Sequence, residues 1–167
     1  MNTVQTNQVL SPEDIRRKIR RIAFEIAERN AGCKKLIIAG IAGNGIVVAK
    51  RLIEELEQII DCSLQFVTVF IDKSNPLQVS LDKPTELHNQ TVILVDDVAN
   101  SGRVMLYALK PFLDAEPASI QTMVLVERSH KLYPIQTDYV GLSIATTLQE
   151  HITVKTNEES IEGAWLH

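Results

Sequence analysis

Apolar positions along this chain switch between a helical and a strand-like rhythm, and the order of the switches predicts the architecture. Behind Ser11-Pro12, a helix start with Pro at its first turn, Ile15, Ile19, Ile22, Ala23 and Ile26 recur at steps of three and four as far as Asn30-Ala31-Gly32. Residues 35–39 are a short apolar run that reads as a buried strand, residues 40–45 a small-residue turn, and residues 46–60 a second helix. Residues 63–71 read as a strand. Residues 72–90, broken by Pro76 and Pro84, read as an irregular excursion with room for a short strand, and are assigned as a flexible hood. Strand 91–95, helix 104–113 and strands 120–127 and 139–141 complete the series. The alternation implies an α/β fold, a mostly parallel sheet flanked by helices on both faces.

Composition narrows the class. With 167 residues, 45% of them apolar, the chain can bury a proper core as a single domain, 1–167. No apolar run is long enough to span a bilayer, and the polar start Met1 to Gln8 lacks signal-peptide architecture, so a cytoplasmic location with no membrane partner is expected. Cys33 and Cys62 have no metal-like spacing and read as thiols. A net charge of −4 argues against general nucleic-acid affinity. The cluster Arg16, Arg17, Lys18, Arg20 and Arg21 is flanked by Glu13, Asp14, Glu25 and Glu28 and reads as a solvated helix face.

The string from Val92 to Gly102, Val-Ile-Leu-Val-Asp-Asp-Val-Ala-Asn-Ser-Gly, carries the candidate chemistry. An unbroken Val/Ile/Leu run is the mark of a strand buried on both faces. Asp96 and Asp97 then emerge at its carboxyl end, where open α/β sheets bind ligands. A bare Asp-Asp could equally cap the following helix. The loop 99–102 that follows is small and polar, and Gly102 permits close backbone approach, which suits a phosphate at the loop amides and the helix N-terminus. Two carboxylates beside a phosphate loop suit ribose hydroxyls or hydrated Mg²⁺. No nucleoside-triphosphatase loop is present, and a phosphorelay receiver would carry its acidic pair at the first strand rather than after residue 90.

The same string, continued by Arg103, resembles the phosphoribosyl-pyrophosphate signature of type I phosphoribosyltransferases. The likeness extends over Ile15-Arg16-Arg17 to Glu28-Arg29-Asn30, Gly40-Ile41 with Gly45, Ala49-Lys50-Arg51-Leu52, Pro117 to Gln121 with Val124-Leu125-Val126, and Leu132 to Ile135 with Asp138 to Gly141. Over residues 10–155 the chain is similar to the pyrimidine-operon regulator and uracil phosphoribosyltransferase family. The resemblance implies a type I phosphoribosyltransferase fold with a short hood. It also implies Mg²⁺ as cofactor, and phosphoribosyl pyrophosphate with a pyrimidine, uracil-like base, or a nucleotide, as ligands. A homodimer or homotetramer is the implied assembly. Asp96 and Asp97 become the catalytic pair and, through water, the metal partners; Val98, Ala99, Asn100, Ser101, Gly102 and Arg103 hold the 5′-phosphate; Ala42, Gly43, Asn44 and Gly45 form the pyrophosphate loop; Val126 and Arg128 face the base.

The chain departs from that pattern at charged positions. Family members carry Thr-Arg where Gly43-Asn44 stand, and an Arg where Ile71 stands; Val104 replaces a hydroxyl residue and Ser129 a Gly. A charged hydrogen bond is worth about 1.5 to 3 kcal/mol, so losing two weakens pyrophosphate or transition-state binding about a hundred- to ten-thousandfold. Lys73 is the best-placed substitute, with Lys50, Arg51 and Lys83 as others. The resulting expectation is transfer of phosphoribosyl to a base with release of pyrophosphate, the alternative being a catalytically weakened regulator that binds the ligand. RNA attenuation by the family's mode is not expected, because the RNA-facing positions here hold Arg20, Phe24, Lys131, Gln136 and Leu142.

Overall fold

The computed structural model describes residues 7–147 and 149–167, so most of the polar start lies outside the described residues. In chain order the elements are β1 (Asn7–Leu10), α1 (Pro12–Arg29), β2 (Lys35–Ile41), α2 (Asn44–Leu56), β3 (Ser63–Ile71), β4 (Val79–Leu81) and β5 (Thr91–Ala99). There follow α3 (Arg103–Ala108), α4 (Lys110–Leu113), β6 (Ser119–Arg128), β7 (Tyr139–Ile144), β8 (Ile152–Thr156) and β9 (Ile161–Leu166). Six strands form the main sheet in the order β4-β3-β2-β5-β6-β7; only β4 runs antiparallel to its neighbour.

The unbroken apolar runs of β2 and β5 follow from burial on both faces. Leu36, Ile38, Ile93 and Val95 pack with Ile22 and Ile26 of α1 and with Val48 and Leu52 of α2. The intervening Ile37, Ala39, Val92 and Leu94 pack on the other side with Met105, Ala108 and Phe112 of α3 and α4. Alternate side chains of one strand therefore serve two cores. Helix α1 begins as expected: Ser11 Oγ accepts from the Asp14 amide at 3.1 Å, and the Ser11 amide donates to Asp14 Oδ2 at 3.0 Å.

Three boundaries differ from the sequence reading. Strand β5 continues through Asp96, Asp97 and Val98 to Ala99, so the acidic pair lies inside the strand and not beyond it. The helix expected over 104–113 is two pieces, because Pro111 has no amide hydrogen to continue the first. The hood is the largest correction. Within residues 72–90 the chain supplies β4, an edge strand of the main sheet. The separate layer comes instead from the two ends of the chain: β1, β9 and β8 form a three-stranded antiparallel sheet whose Ile152, Val154, Ile161 and Ala164 join the core beneath α1.

Strand order places the carboxyl ends of β2 and β5 side by side, and α2 starts in the angle between them. A Cβ added to Gly45 would lie 2.9 Å from the Val95 carbonyl oxygen and 3.0 Å from Asp96 Oδ1, closer than real contacts allow. Gly45→Ala therefore forces α2 away from β5. The expected cost is about 1 to 3 kcal/mol, read as a lower urea midpoint; an unchanged midpoint contradicts this contact.

Candidate functional site

At the carboxyl end of β5 lies a cleft of about 280 Å³. Its lining includes Asn44 from the start of α2, Lys73 from the loop after β3, Asp96 to Gly102, Val104 and Met105, and Ile152 to Val154 from β8. The topology thus brings together the acidic pair, the small polar loop and one residue of the expected pyrophosphate turn. It also adds β8, which the sequence reading did not assign. Ile152-Thr153-Val154-Lys155-Thr156 alternates apolar and polar residues and is followed by Asn157 to Ser160 and a second such run, which is a hairpin signal.

The two carboxylates are both buried, with Asp96 at 2% and Asp97 at 8% relative exposure. Asp96 Oδ1 accepts from the Asp97 amide at 2.9 Å and lies 3.6 Å from Lys73 Nζ. Burial first, and then the neighbouring Asp97 charge, push the Asp96 carboxyl well above its ordinary range, against the pull of Lys73. Asp97 Oδ2 accepts from Asn44 Nδ2 at 2.8 Å. The same Asn44 amide nitrogen donates to the Val154 carbonyl at 2.8 Å, and Asn44 Oδ1 accepts from Thr156 Oγ1 at 2.7 Å. One short side chain therefore joins the acidic pair to the terminal sheet.

Gly102 stands at φ +80, the left-handed conformation in which glycine avoids the strain of a Cβ, and it precedes α3. The Ser101 carbonyl accepts from the amides of Leu132 and Tyr133 at 3.1 and 3.0 Å, so the segment after β6 braces the loop. Ser101 Oγ accepts from the Arg103 amide at 3.2 Å. Asn100 Oδ1 and Arg103 Nε are buried without a hydrogen-bond partner among the described residues, and Arg103 does not line the cleft. Behind the loop, Glu127 Oε2 pairs with Lys131 Nζ at 2.7 Å and accepts from Thr137 Oγ1. Burial raises the Glu127 carboxyl, but the bonds from Lys131 and Thr137 outweigh it and hold the group below its ordinary value.

Other candidates lie further off. Gly43 precedes α2 at φ +99 with nothing near its Cβ position, while Ala42 borders a separate groove with Phe70, Ile71 and Asp72. Val126 is wholly buried between β5 and β7, and Arg128 Nη2 donates to the Thr147 carbonyl at 2.7 Å; neither lines the cleft. Among the possible substitute cations, Lys73 reaches the cleft, whereas Arg51 is engaged by Glu54 and by the Glu159 carbonyl. On α1, Arg16 and Arg17 pair with Glu13, and Lys18 and Arg21 donate to the carbonyls of Gly141 and Val140. Both cysteines are free.

A carboxyl that the fold holds protonated contributes stability at acidic pH, and the contribution is lost as pH rises from the ordinary carboxylate range through the raised value. Asp96→Asn, which keeps the shape and an acceptor oxygen, should then raise Tm by at least about 2 °C at pH 7.5 and by less at pH 4.5. Equal Tm differences at the two pH values, measured by calorimetry, contradict the raised carboxyl.

Comparison with known proteins agrees with this geometry. The family described as the phosphoribosyl transferase domain matches residues 5–159. Over 162 residues, 90% of each chain, the protein is 40% identical to "Bifunctional protein PyrR" of Bacillus pumilus and 40% identical to that of Bacillus subtilis. The PyrR of a Roseiflexus species is 38% identical, over 90% of this chain and 88% of that one. The fold is similar to solved hypoxanthine phosphoribosyltransferase from Trypanosoma cruzi, with a TM-score of 0.73 at 19% identity, covering 83% of this chain and 81% of the other. A hypoxanthine-guanine phosphoribosyltransferase from Bacillus anthracis gives 0.71 at 19% identity, with 83% and 82% covered. No helix among the described residues is long and apolar enough to cross a membrane. The match over most of its length, to the family and to the PyrR proteins alike, establishes that this chain belongs to the phosphoribosyl transferase domain family.

Proposed function

We propose that the chain, as one cytoplasmic domain over residues 1–167, binds a 5′-phosphoribosyl ligand in the β5 cleft and transfers the phosphoribosyl group to a pyrimidine, uracil-like base. The observation that carries this reading is the joining, in one cleft, of Asp96 and Asp97 with the loop of Asn100, Ser101 and Gly102. The loop amides and Ser101 hold the 5′-phosphate. Ribose hydroxyls meet the oxygens of Asp96 and Asp97 that the protein leaves open. Val126 and Arg128 lie on the neighbouring strand β6, the side from which a base would approach.

Transfer breaks the bond from C1 to the pyrophosphate oxygen, forms a bond from C1 to a ring nitrogen of the base, and releases that nitrogen's proton to solvent. Positioning the two reactants and stabilising the departing charge do most of the catalytic work, so no nucleophilic side chain is required. Two adjacent carboxylates fit Mg²⁺ held through water and brought in with the ligand's phosphates, and no group of three or more His, Cys, Asp or Glu among the described residues forms a cage for a resident ion. When bound, the metal would neutralise pyrophosphate charge. A homodimer or homotetramer is proposed on the same footing, supported by the exposed Phe70 and Leu77.

A second reading, a ligand-binding regulator with slow turnover, is favoured by one observation: Lys73 is the only Lys or Arg among the residues lining the cleft, and it faces Asp96. Titration with phosphoribosyl pyrophosphate and with UMP, with and without Mg²⁺, followed by an assay of uracil-dependent pyrophosphate release, separates the two. Binding with rapid release supports the transferase; binding with release slowed at least about a hundredfold from an ordinary kcat of about 10 per second supports the regulator. Asp96→Asn with Asp97→Asn should lower affinity for either ligand at least about tenfold. Unchanged affinity in a folded double variant refutes the site.

A further inference from the structure

On the β2–α2 side of the cleft, the two side chains able to attract an anion, Asn44 and Lys73, are already turned onto the chain's own groups. The Asn44 amide donates to Asp97 Oδ2 and to the Val154 carbonyl, both at 2.8 Å, and its carbonyl oxygen accepts from Thr156. The N-terminus of α2 abuts the other acid: the Cβ position of Gly45 is 3.0 Å from Asp96 Oδ1. Lys73, the one cationic side chain lining the cleft, is 3.6 Å from the same oxygen.

The far side of the acidic pair is arranged differently. The loop 99–102 faces the cleft with no acidic side chain in it, and its shape is held from behind by Leu132 and Tyr133. A phosphate monoester carries a charge of about −1.5 to −2 at neutral pH, which the loop can meet with backbone amides and Ser101. With the phosphate there and the ribose hydroxyls on Asp96 and Asp97, the rest of the ligand would share the cleft with Asn44 and Lys73. A pyrophosphate on C1 would bring further negative charge to donors that are already engaged, beside two carboxylates. Displacing Asn44 would also release β8, because the same side chain holds Val154 and Thr156.

We propose that Asn44 is a specificity-determining latch: it ties β8 to Asp97 and makes the cleft select a ribose bearing a single 5′-phosphate, as in a nucleoside monophosphate, over the same sugar with pyrophosphate at C1. The proposal rests on the 5′-phosphoribosyl reading above and names the ligand class that this cleft holds best. Its consequence is a protein that retains the product side of the transfer reaction in preference to the activated donor. Asn44 acts on the ligand by holding its donors on Asp97 and Val154 and through the position of β8, without taking part in bond making.

Calorimetric titration of the full chain at constant Mg²⁺ with ribose 5-phosphate, UMP and phosphoribosyl pyrophosphate tests it. The expected result is that ribose 5-phosphate and UMP each bind more tightly than phosphoribosyl pyrophosphate. Asn44→Arg, which adds a guanidinium at the latch, should tighten phosphoribosyl pyrophosphate at least tenfold while leaving ribose 5-phosphate within threefold. Wild-type binding of phosphoribosyl pyrophosphate as tight as, or tighter than, that of ribose 5-phosphate overturns the latch and leaves the 5′-phosphoribosyl reading standing. Absence of binding by all three ligands overturns that reading and the latch with it. The wild-type comparison decides even where Asn44→Arg does not fold.

Discussion

Two adjacent carboxylates buried inside the last turns of a parallel strand are the constraint to which the rest of the cleft answers. A charged carboxylate in a nearly dry site is costly, and two side by side are more so. The chain meets this with local devices. Gly45 lets the start of α2 approach Asp96, Lys73 reaches in from the loop after β3, the Asp97 amide bonds to Asp96, and Asn44 bonds to Asp97. They come from α2, from β5 itself and from the loop after β3, so the packing of α2 on β5, the seating of β8 and the course of the β3–β4 loop all depend on the acids they surround. The residual strain appears as the upward push on the Asp96 carboxyl. Strain of this kind collects where a ligand is to be bound, because groups arranged for a ligand are not arranged for the empty fold.

The two sides of the cleft are consequently unlike. The loop after β5 is shaped by Gly102 and braced through the Ser101 carbonyl, and Asn100, Ser101 and Gly102 line the cleft. The turn before α2 keeps its helix N-terminus, but that end is set against Asp96, and its one polar side chain belongs to an internal network that reaches β8. Family membership fixes the class of fold and chemistry; the internal neutralisation at Asn44 is a property of this chain. A site that has turned its cationic character inward can still grip a sugar phosphate. On the latch proposed above, it would give little help to a leaving group that departs with several negative charges.

Much of this was legible in the sequence, for identifiable reasons. The buried strands announced themselves because β2 and β5 are apolar on both faces, and α1 because its five buried positions repeat with the helical period. The acidic pair and its loop were legible because few other roles require that residue order. The missing arginines were legible only through resemblance, and what Asn44 does instead was not legible at all. Its partners are 53 and 110 or more residues away, and nothing local to Gly43-Asn44-Gly45 encodes them. The hood was placed in residues 72–90 because proline punctuation there is conspicuous. The short β1, β8 and β9 gain their stability from packing beneath α1, which a local pattern does not display.

The central claim is that Asn44 and Asp97 act as one hydrogen-bonded unit that occupies the site's donors from within. The most direct measurement is a double-mutant cycle on stability, with Asn44→Ala, Asp97→Ala and the pair compared by urea unfolding at neutral pH. A bond from an amide to a buried carboxylate predicts a coupling of about 1.5 to 3 kcal/mol. Additivity to within about 0.5 kcal/mol contradicts the account, since the two residues would then be neighbours that do not depend on each other.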